Sequence, residues 1–310
     1  MAKLAFTTND ENTMLVAIKY LYAPVFWFGF IGIAILAVDW YRLSLWTLIP
    51  FALVAIATNF ALEKVAPYDI TWNINHGDRL RDVAHAIANE SLTAVGLVAL
   101  PFIAAFIPTF GVWPQHWPLI VQILFAIVFA DMGITLAHYA SHKIDWLWRL
   151  HAVHHSVKRM YGINGLMKHP IHQTVESIAG IAPLLLLGAS QTVVALVAFA
   201  VTIQLSLQHS NVDMRLGALR HVFAFAPLHR FHHMRYGASV DVNFGLFFTL
   251  WDKLLGTDYW AKDYRMSTLD LGIGSQPEFP SGYIKQLTAP FKSAPKITSS
   301  KPTTPAGLLR

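Results

Sequence analysis

Four long apolar runs constrain this chain more than any other feature of it. Leu15 to Val38 is broken by one charge, Lys19, while Leu43 to Leu62 and Leu92 to Val112 carry none, and Trp117 to Ala137 carries one acid, Asp131. A helix that crosses a bilayer needs about 20 predominantly apolar residues, so each run is long enough. Ile178 to Leu187 and Val193 to Leu207 form a further pair, each too short to cross alone, and suited to tilted spans or to a re-entrant hairpin. The expected fold is all-α: a polytopic membrane helical bundle with four firm spans, two further short or re-entrant segments, and a histidine-rich helical cap on its cytosolic face. Residues 1–14 read as a polar N-terminus, 15–274 as a single integral-membrane domain, and 275–310, rich in Pro, Ser, Thr and Lys, as a disordered tail. A signal peptide is a poor account of the first run, which is overlong for one and leads straight into a second.

Composition agrees. Charged residues make up 13% of the chain, about half of what a water-facing surface usually carries. The absence of cysteine excludes disulfides, thiolate-ligated zinc and haem, and iron–sulfur clusters, so any metal must be held by nitrogen and oxygen. Sidedness follows from Lys and Arg. If the N-terminus is cytosolic, the outer connectors 39–42, 113–116 and 188–192 hold one basic residue, Arg42, and nearly all the others fall in the termini and in 63–91 and 138–177. The positive-inside rule then places both termini and both long connectors in the cytosol. This asymmetry accounts for the net charge of +5 without any nucleic acid.

Histidine is over-represented, with fifteen residues. Eight fall into three boxes: His138-Tyr-Ala-Ser-His142, His151-Ala-Val-His154-His155 and His229-Arg-Phe-His232-His233. Offsets of three and four residues place side chains on one helical face with Cβ atoms about 5–6 Å apart, close enough for imidazoles to converge on a metal at about 2.0–2.1 Å. One such box alone reads as a packed pair or a solvated helix face. Three boxes at one membrane face read as a metal site, and eight imidazoles exceed what one ion uses, so two ions are expected. Imidazole suits Fe, Zn, Cu and Ni alike, and ligand type alone leaves the metal open.

The order of these boxes resembles the membrane fatty acid hydroxylase/sterol desaturase superfamily, whose pattern is H-x3-H, H-x2-HH, H-x2-HH. The resemblance covers roughly Glu63 to Tyr259 and includes His169-Pro170, His209-Ser-Asn211, Asn243-Phe-Gly245 and Trp251-Asp252. It implies an oxygenase with two non-haem Fe ions as cofactor and O2 as co-substrate, hydroxylating or desaturating an unactivated C–H of a lipid such as a fatty acyl chain, a sterol or a lipid head group. No catalytic side chain beyond the metal centre is expected. The resemblance also implies His209 as a ninth ligand. His169 and His172 stand where many relatives read His-Pro-x-Glu and are candidates for an extra ligand or a supporting partner. Asp131 is a candidate for accepting the second N–H of a ligand imidazole, as metal-bound histidines usually require, and Asp241 and Asn243 are candidates for supporting the third box in the same way.

Electrons must come from another protein, since the chain has no dinucleotide fingerprint and no cysteine cluster. A ferredoxin or a cytochrome b5-like donor with its reductase is implied. Arg149, Lys158, Arg159, Arg220, Arg230 and Arg235 offer a basic docking face, for which the positive-inside bias is a sufficient alternative account. The competing functional class is a non-redox membrane metal protein, either a zinc hydrolase or a metal carrier. A carrier should line a path through the bilayer midplane with ligands, whereas these gather at one face.

Overall fold

A computed structural model of the chain describes residues 13–106, 108–236, 241–292 and 302–308. Ten α-helices form it, and the described residues hold no strand, only isolated bridges such as Pro67 to Val212 and Phe223 to Phe248. The helices are α1 (Thr13–Asp39), α2 (Leu48–Val65), α3 (Arg79–Ala104), α4 (Leu119–Lys143), α5 (Asp145–His155), α6 (Pro170–Leu187), α7 (Gln191–Gln208), α8 (Ala226–His232), α9 (Leu250–Leu255) and α10 (Tyr283–Thr288). Five of them are long and apolar enough to cross a membrane: α1, α2 with the turn before it, α3, α4 and α7.

The third span differs from the expected run of Leu92 to Val112. Its helix begins thirteen residues earlier, at Arg79, and ends at Ala104, because Pro108, Gly111 and Pro114 cannot continue it. The rest of the apolar run leaves the helix and pairs with the end of α6, Phe110 N–H donating to Leu186 O at 2.8 Å and Trp113 N–H to Leu187 O at 2.9 Å. The start of α3 is polar because it faces a polar interior: Tyr161 O–H and Asn164 Nδ2 both donate to the buried Asp82. The last apolar pair becomes two helices of 18 residues, turned by Gly188 at φ 94. His169 caps α6 by accepting from Ile171 N, with Pro170 at the first turn, and Ser190 caps α7 by accepting from Val193 N.

Helix α7 is the axis of the bundle, buried along nearly its whole length against α1, α2, α3 and α4. Helices α4 and α6 approach most closely where both lack bulk: a Cβ on Gly133 would lie 2.0 Å from Ala179 O, and one on Gly180 would lie 2.9 Å from Ile134. Small residues of this kind let membrane helices touch backbone to backbone. The polar ends of the long helices meet at one end. Lys19 of α1 pairs with Asp213 beyond α7 at 3.1 Å, and Glu63 of α2 accepts from Gly162 N at 2.7 Å and Asn211 N at 3.0 Å.

The expected disordered tail is corrected over its described parts. Residues 275–292 fold back, and the buried Gln286 of α10 hydrogen-bonds His85 Nε2 at 2.9 Å and donates to Ser156 Oγ at 3.0 Å. Leu308 is buried, its carbonyl accepting from Tyr259 O–H at 3.0 Å. Positions 293–301 and 1–12 lie outside the described residues.

Candidate metal centre

Two helix pairs carry the rings. Ile144, in extended conformation, separates α4 from α5 and turns the chain so that His138 and His142 face His151 and His155. Pro227 opens α8, which is buried along its whole length and ends at His232, with His233 as its cap. His209 caps the C-terminus of α7. Beside it, a Cβ on Gly165 would lie 2.2 Å from Leu205 O and 3.0 Å from His209 Nδ1, so only glycine leaves room for that ring.

All eight box histidines and His209 converge, and they divide into two clusters. His138, His142, His151, His155 and His232 form one; His154, His209, His229 and His233 form the other, with candidate ligand atoms within 4.8 Å of one another in each. The division follows helical phase. In each of the last two boxes the i and i+4 rings enter one cluster and the i+3 ring enters the other: His151 and His155 against His154, and His229 and His233 against His232. The clusters are therefore neighbours, with the His155 and His233 rings stacked at 4.7 Å.

The hydrogen bonds fix which nitrogen faces inward. His138 Nδ1 donates to Phe244 O at 2.9 Å, His232 Nδ1 to Val242 O at 2.8 Å, His154 Nδ1 to Met167 O at 3.0 Å and His209 Nδ1 to Leu205 O at 2.9 Å. A carbonyl only accepts, so in each of these rings Nδ1 carries the proton and Nε2 presents a lone pair. Those lone pairs meet: His138 Nε2 lies 2.9 Å from His232 Nε2, and His209 Nε2 lies 3.2 Å from His154 Nε2. Neither contact holds a hydrogen between neutral rings, and a bound cation relieves the repulsion. Two nitrogens about 2.1 Å from one ion and roughly at right angles lie about 3 Å apart, so the donor set fits a metal in each cluster. Protonation is the other remedy, and burial opposes it. It pushes the pKa of His154, His155, His229, His232 and His233 well below the ordinary imidazole value, and that of His209 down to about 3.

The supporting residues differ in part from expectation. Asp241 meets a ring of the first box and not, as expected, of the third: its Oδ1 accepts from His142 Nδ1 at 3.2 Å, and its Oδ2 pairs with Lys143. Partial burial pushes the Asp241 carboxyl up, but the His142 and Lys143 hydrogen bonds outweigh it and bring its pKa to about 2. Asp131 touches no histidine. It accepts the backbone N–H groups of Leu246, Phe247 and Phe248 at 3.1, 2.8 and 2.9 Å, pinning the loop whose Phe244 carbonyl holds His138. Asn243 also accepts from no ring. At φ 53 it donates to Leu228 O and Tyr259 O, each at 2.9 Å, and shapes the loop from which the Val242 carbonyl reaches His232. His169 lies apart as the α6 cap, its Nε2 donating to Leu287 O at 3.1 Å.

His172 is drawn in, but toward a different partner. One nitrogen of His172, one of His151 and an oxygen of Glu176 lie within 4.8 Å, and Glu176 is also paired with the buried Lys168. Sequence reasoning missed Glu176 and Lys168. The available signal was a carboxylate one helical turn after His172, at the start of an apolar helix. The basic docking face is smaller than expected: Arg159 is buried in a bidentate pair with Asp78, and Arg230 is buried over the Tyr68 ring, donating to Ser210 O and Val212 O.

The sequence profile described as fatty acid hydroxylase matches residues 123–257, a segment that contains every converging histidine. Ornithine lipid hydroxylase OlsE of Rhizobium tropici is 34% identical over 254 residues, covering 77% of this chain and 75% of that protein. The chain belongs to the fatty acid hydroxylase family. Alkylglycerol monooxygenases of Caenorhabditis elegans and Danio rerio are each 30% identical, over 47% and 43% of this chain but only 28% and 29% of theirs. No solved structure matches. With its five apolar helices, this fatty acid hydroxylase family member is a multi-pass membrane protein.

Proposed function

We propose that the chain is a di-iron lipid hydroxylase, each histidine cluster holding one iron. What carries this reading is the pairing of lone pairs between rings whose other nitrogens are already committed, as at His138 and His232. Bound iron would supply the reduction of dioxygen that allows an unactivated C–H to be hydroxylated. The protein's own residues prepare the place for it. Phe244, Val242, Met167 and Leu205 carbonyls and the Asp241 carboxylate set the ring orientations, so little reorganisation is needed when the metals bind. Burial of the rings keeps bulk water away and keeps each imidazole neutral.

Five clustered rings favour iron over a tetrahedral zinc, which typically takes three protein ligands when catalytic. Hydroxylation is preferred to desaturation because the relatives are named hydroxylases and monooxygenases. Electrons come from a separate ferredoxin or cytochrome b5-like protein, and the metal face is cytosolic by its Lys and Arg content.

Two measurements test the proposal: the metal content of the purified protein, and mass spectrometry of host lipids with and without the gene. The expected result is near two irons per chain with a lipid gaining about 16 mass units, one oxygen atom derived from O2. Zinc with hydrolytic turnover would overturn it in favour of a non-redox metal protein.

A further inference from the structure

Two stretches of the connector after α7 form a lobe on the side of the bundle, outside the five apolar helices. Residues 222–224 lie antiparallel to 247–249: Ala224 N–H donates to Phe247 O at 2.9 Å and Thr249 N–H to Val222 O at 3.0 Å. The lobe is held alongside two spans. Phe223 packs on Trp27 and Phe28 of α1, with ring centroids 5.3 and 5.9 Å away, and Asp131 of α4 accepts the N–H groups of Leu246, Phe247 and Phe248.

Helix geometry gives the depth of these contacts. No charge lies between Lys19 and Asp39 of α1, and at about 1.5 Å per residue that stretch is about 30 Å long, the thickness of a hydrocarbon core. Phe28 lies about 13 Å along α1 from Lys19, so Phe223 beside it sits well inside the core. Helix α4 agrees. Asp131 lies about 10 Å along the helix from His138, on the side away from the clusters. Leu136, between the two, is exposed and apolar, as a lipid-facing residue would be.

The surface of the lobe suits that depth. Val222, Leu250 and Leu254 are 49, 48 and 71% exposed, and the two leucines stand one turn apart on α9, opposite the buried Asp252. They continue the exposed apolar strip of Leu21, Val25 and Phe28 on α1. The exposed His221 and Lys253 give the lobe a polar edge, the make-up of an element that lies in an interface and does not cross it. The His221 carbonyl accepts from Thr249 Oγ1 at 2.8 Å and from the Lys253 ammonium, whose alkyl stem covers apolar surface. Nearer the clusters, the Arg220 guanidinium stands 6.0 Å from the ring of Trp260, a residue type favoured at the membrane–water boundary. The lobe is also tied to the metal centre. Asp252 accepts Phe244 N–H at 2.6 Å and Gly245 N–H at 2.9 Å, in the loop whose Val242 and Phe244 carbonyls hold His232 and His138.

We propose that the Val222 turn and α9 form a wedge inserted into the leaflet on the histidine side, its partner being the lipid surface itself. Contact with that leaflet steadies the loop that orients His138 and His232. The insertion rests on α1 and α4 crossing the bilayer and not on the hydroxylase reading; only its effect on the loop involves the metals.

The chain has no cysteine, so single cysteines carrying a nitroxide report depth without interference. The variants are Val222→Cys and Leu254→Cys in phosphatidylcholine vesicles containing phosphatidylglycerol, with Val54→Cys on the outer face of α2 and Leu269→Cys, an exposed apolar residue outside any span, as references. Labels at 222 and 254 should collide with oxygen several-fold more than with a water-soluble nickel chelate, as at 54, while the label at 269 shows the reverse. A label at 222 or 254 that the nickel chelate reaches as readily as the one at 269 overturns the wedge. For the loop, a chelator should strip metal from the loaded Leu254→Asp protein in the same vesicles several-fold faster than from the unmutated protein. Leu254→Met, which keeps the surface apolar, and Leu269→Asp should both release it at the unmutated rate. Equal rates for Leu254→Asp and the unmutated protein would overturn the link to the loop, and the depth of the two labels decides the insertion even if Leu254→Asp misfolds.

Discussion

His138 and His232, 94 residues apart in sequence, bring their Nε2 atoms to 2.9 Å while each donates its Nδ1 proton to a carbonyl of the same loop, Phe244 O and Val242 O. His229, three residues before His232, turns into the other cluster with His154, His209 and His233. This alternation allows the two proposed ions to be removed separately. His232→Ala and His229→Ala should each lower metal content from about two ions toward one and reduce lipid hydroxylation by about 100-fold or more, since both centres are needed together. Loss of both ions from both variants, read by metal analysis, would mean that the clusters fill as one unit.

Asp241 is half-buried and holds the His142 ring through Nδ1 at 3.2 Å. Partners of this kind typically contribute about 10–100-fold in metal affinity. Asp241→Ala should lower iron affinity by that order while leaving the protein inserted and helical, because no span depends on it. Lys143→Gln removes only the neighbouring, partly exposed ion pair, and its effect should be several-fold smaller. A competition assay with a chelator measures both, and equal losses would show that Asp241 acts through charge and not by orienting the ring.

Asp131 should behave differently, because it acts on a loop. Its replacement by Ala leaves the N–H groups of Leu246, Phe247 and Phe248 unpaired in the interior, at about 1–3 kcal/mol each. Melting in detergent should fall sharply, with iron retention weakened as the loop that carries the Phe244 carbonyl loosens. If iron were lost with no change in melting temperature, Asp131 would have to contact the metal directly.

Much of this site is legible in the sequence because its spacing is local. Offsets of three and four residues put His151, His154 and His155 on one helical face before any tertiary contact forms. Which ring serves which cluster was not legible, since that depends on how α5 and α8 face each other across the bundle. Nor were the carbonyls of Phe244, Val242 and Met167 that orient the rings, because a backbone acceptor leaves no trace in residue type. Hydropathy misplaced the third span for a related reason. Asp82, His85 and Asn89 lower the apolar score of α3, yet they face a polar interior where Tyr161, Asn164, Gln286 and the Leu166 and Lys168 carbonyls meet them. The packed segment near Gln286 was hidden by its loop-like composition, and it is its contacts with His85, Ser156 and His169 that show it docks.

Acidity provides a test of the buried rings in the metal-free protein. His151, His154, His155, His229, His232 and His233 are held well below the ordinary imidazole pKa by burial, reinforced in each of them by neighbouring rings, and His209 falls to about 3. Unfolded, the same residues titrate near 6.5. Above about pH 6.5 both states are neutral and these groups leave stability unchanged with pH. Below it the unfolded chain takes up protons that the folded chain refuses, so stability falls as pH drops, with each ring contributing up to about 1.4 kcal/mol per pH unit before coupling reduces the total. The melting temperature of the apoprotein in detergent should therefore be level from about pH 8 to 7 and decline steadily from about pH 6.5 downward. Iron loading should shift the whole curve upward and steepen the acid limb, because protons and metal compete for the same lone pairs. A melting temperature unchanged between about pH 6.5 and 5 would mean that the rings take protons inside the fold, which their burial against one another forbids.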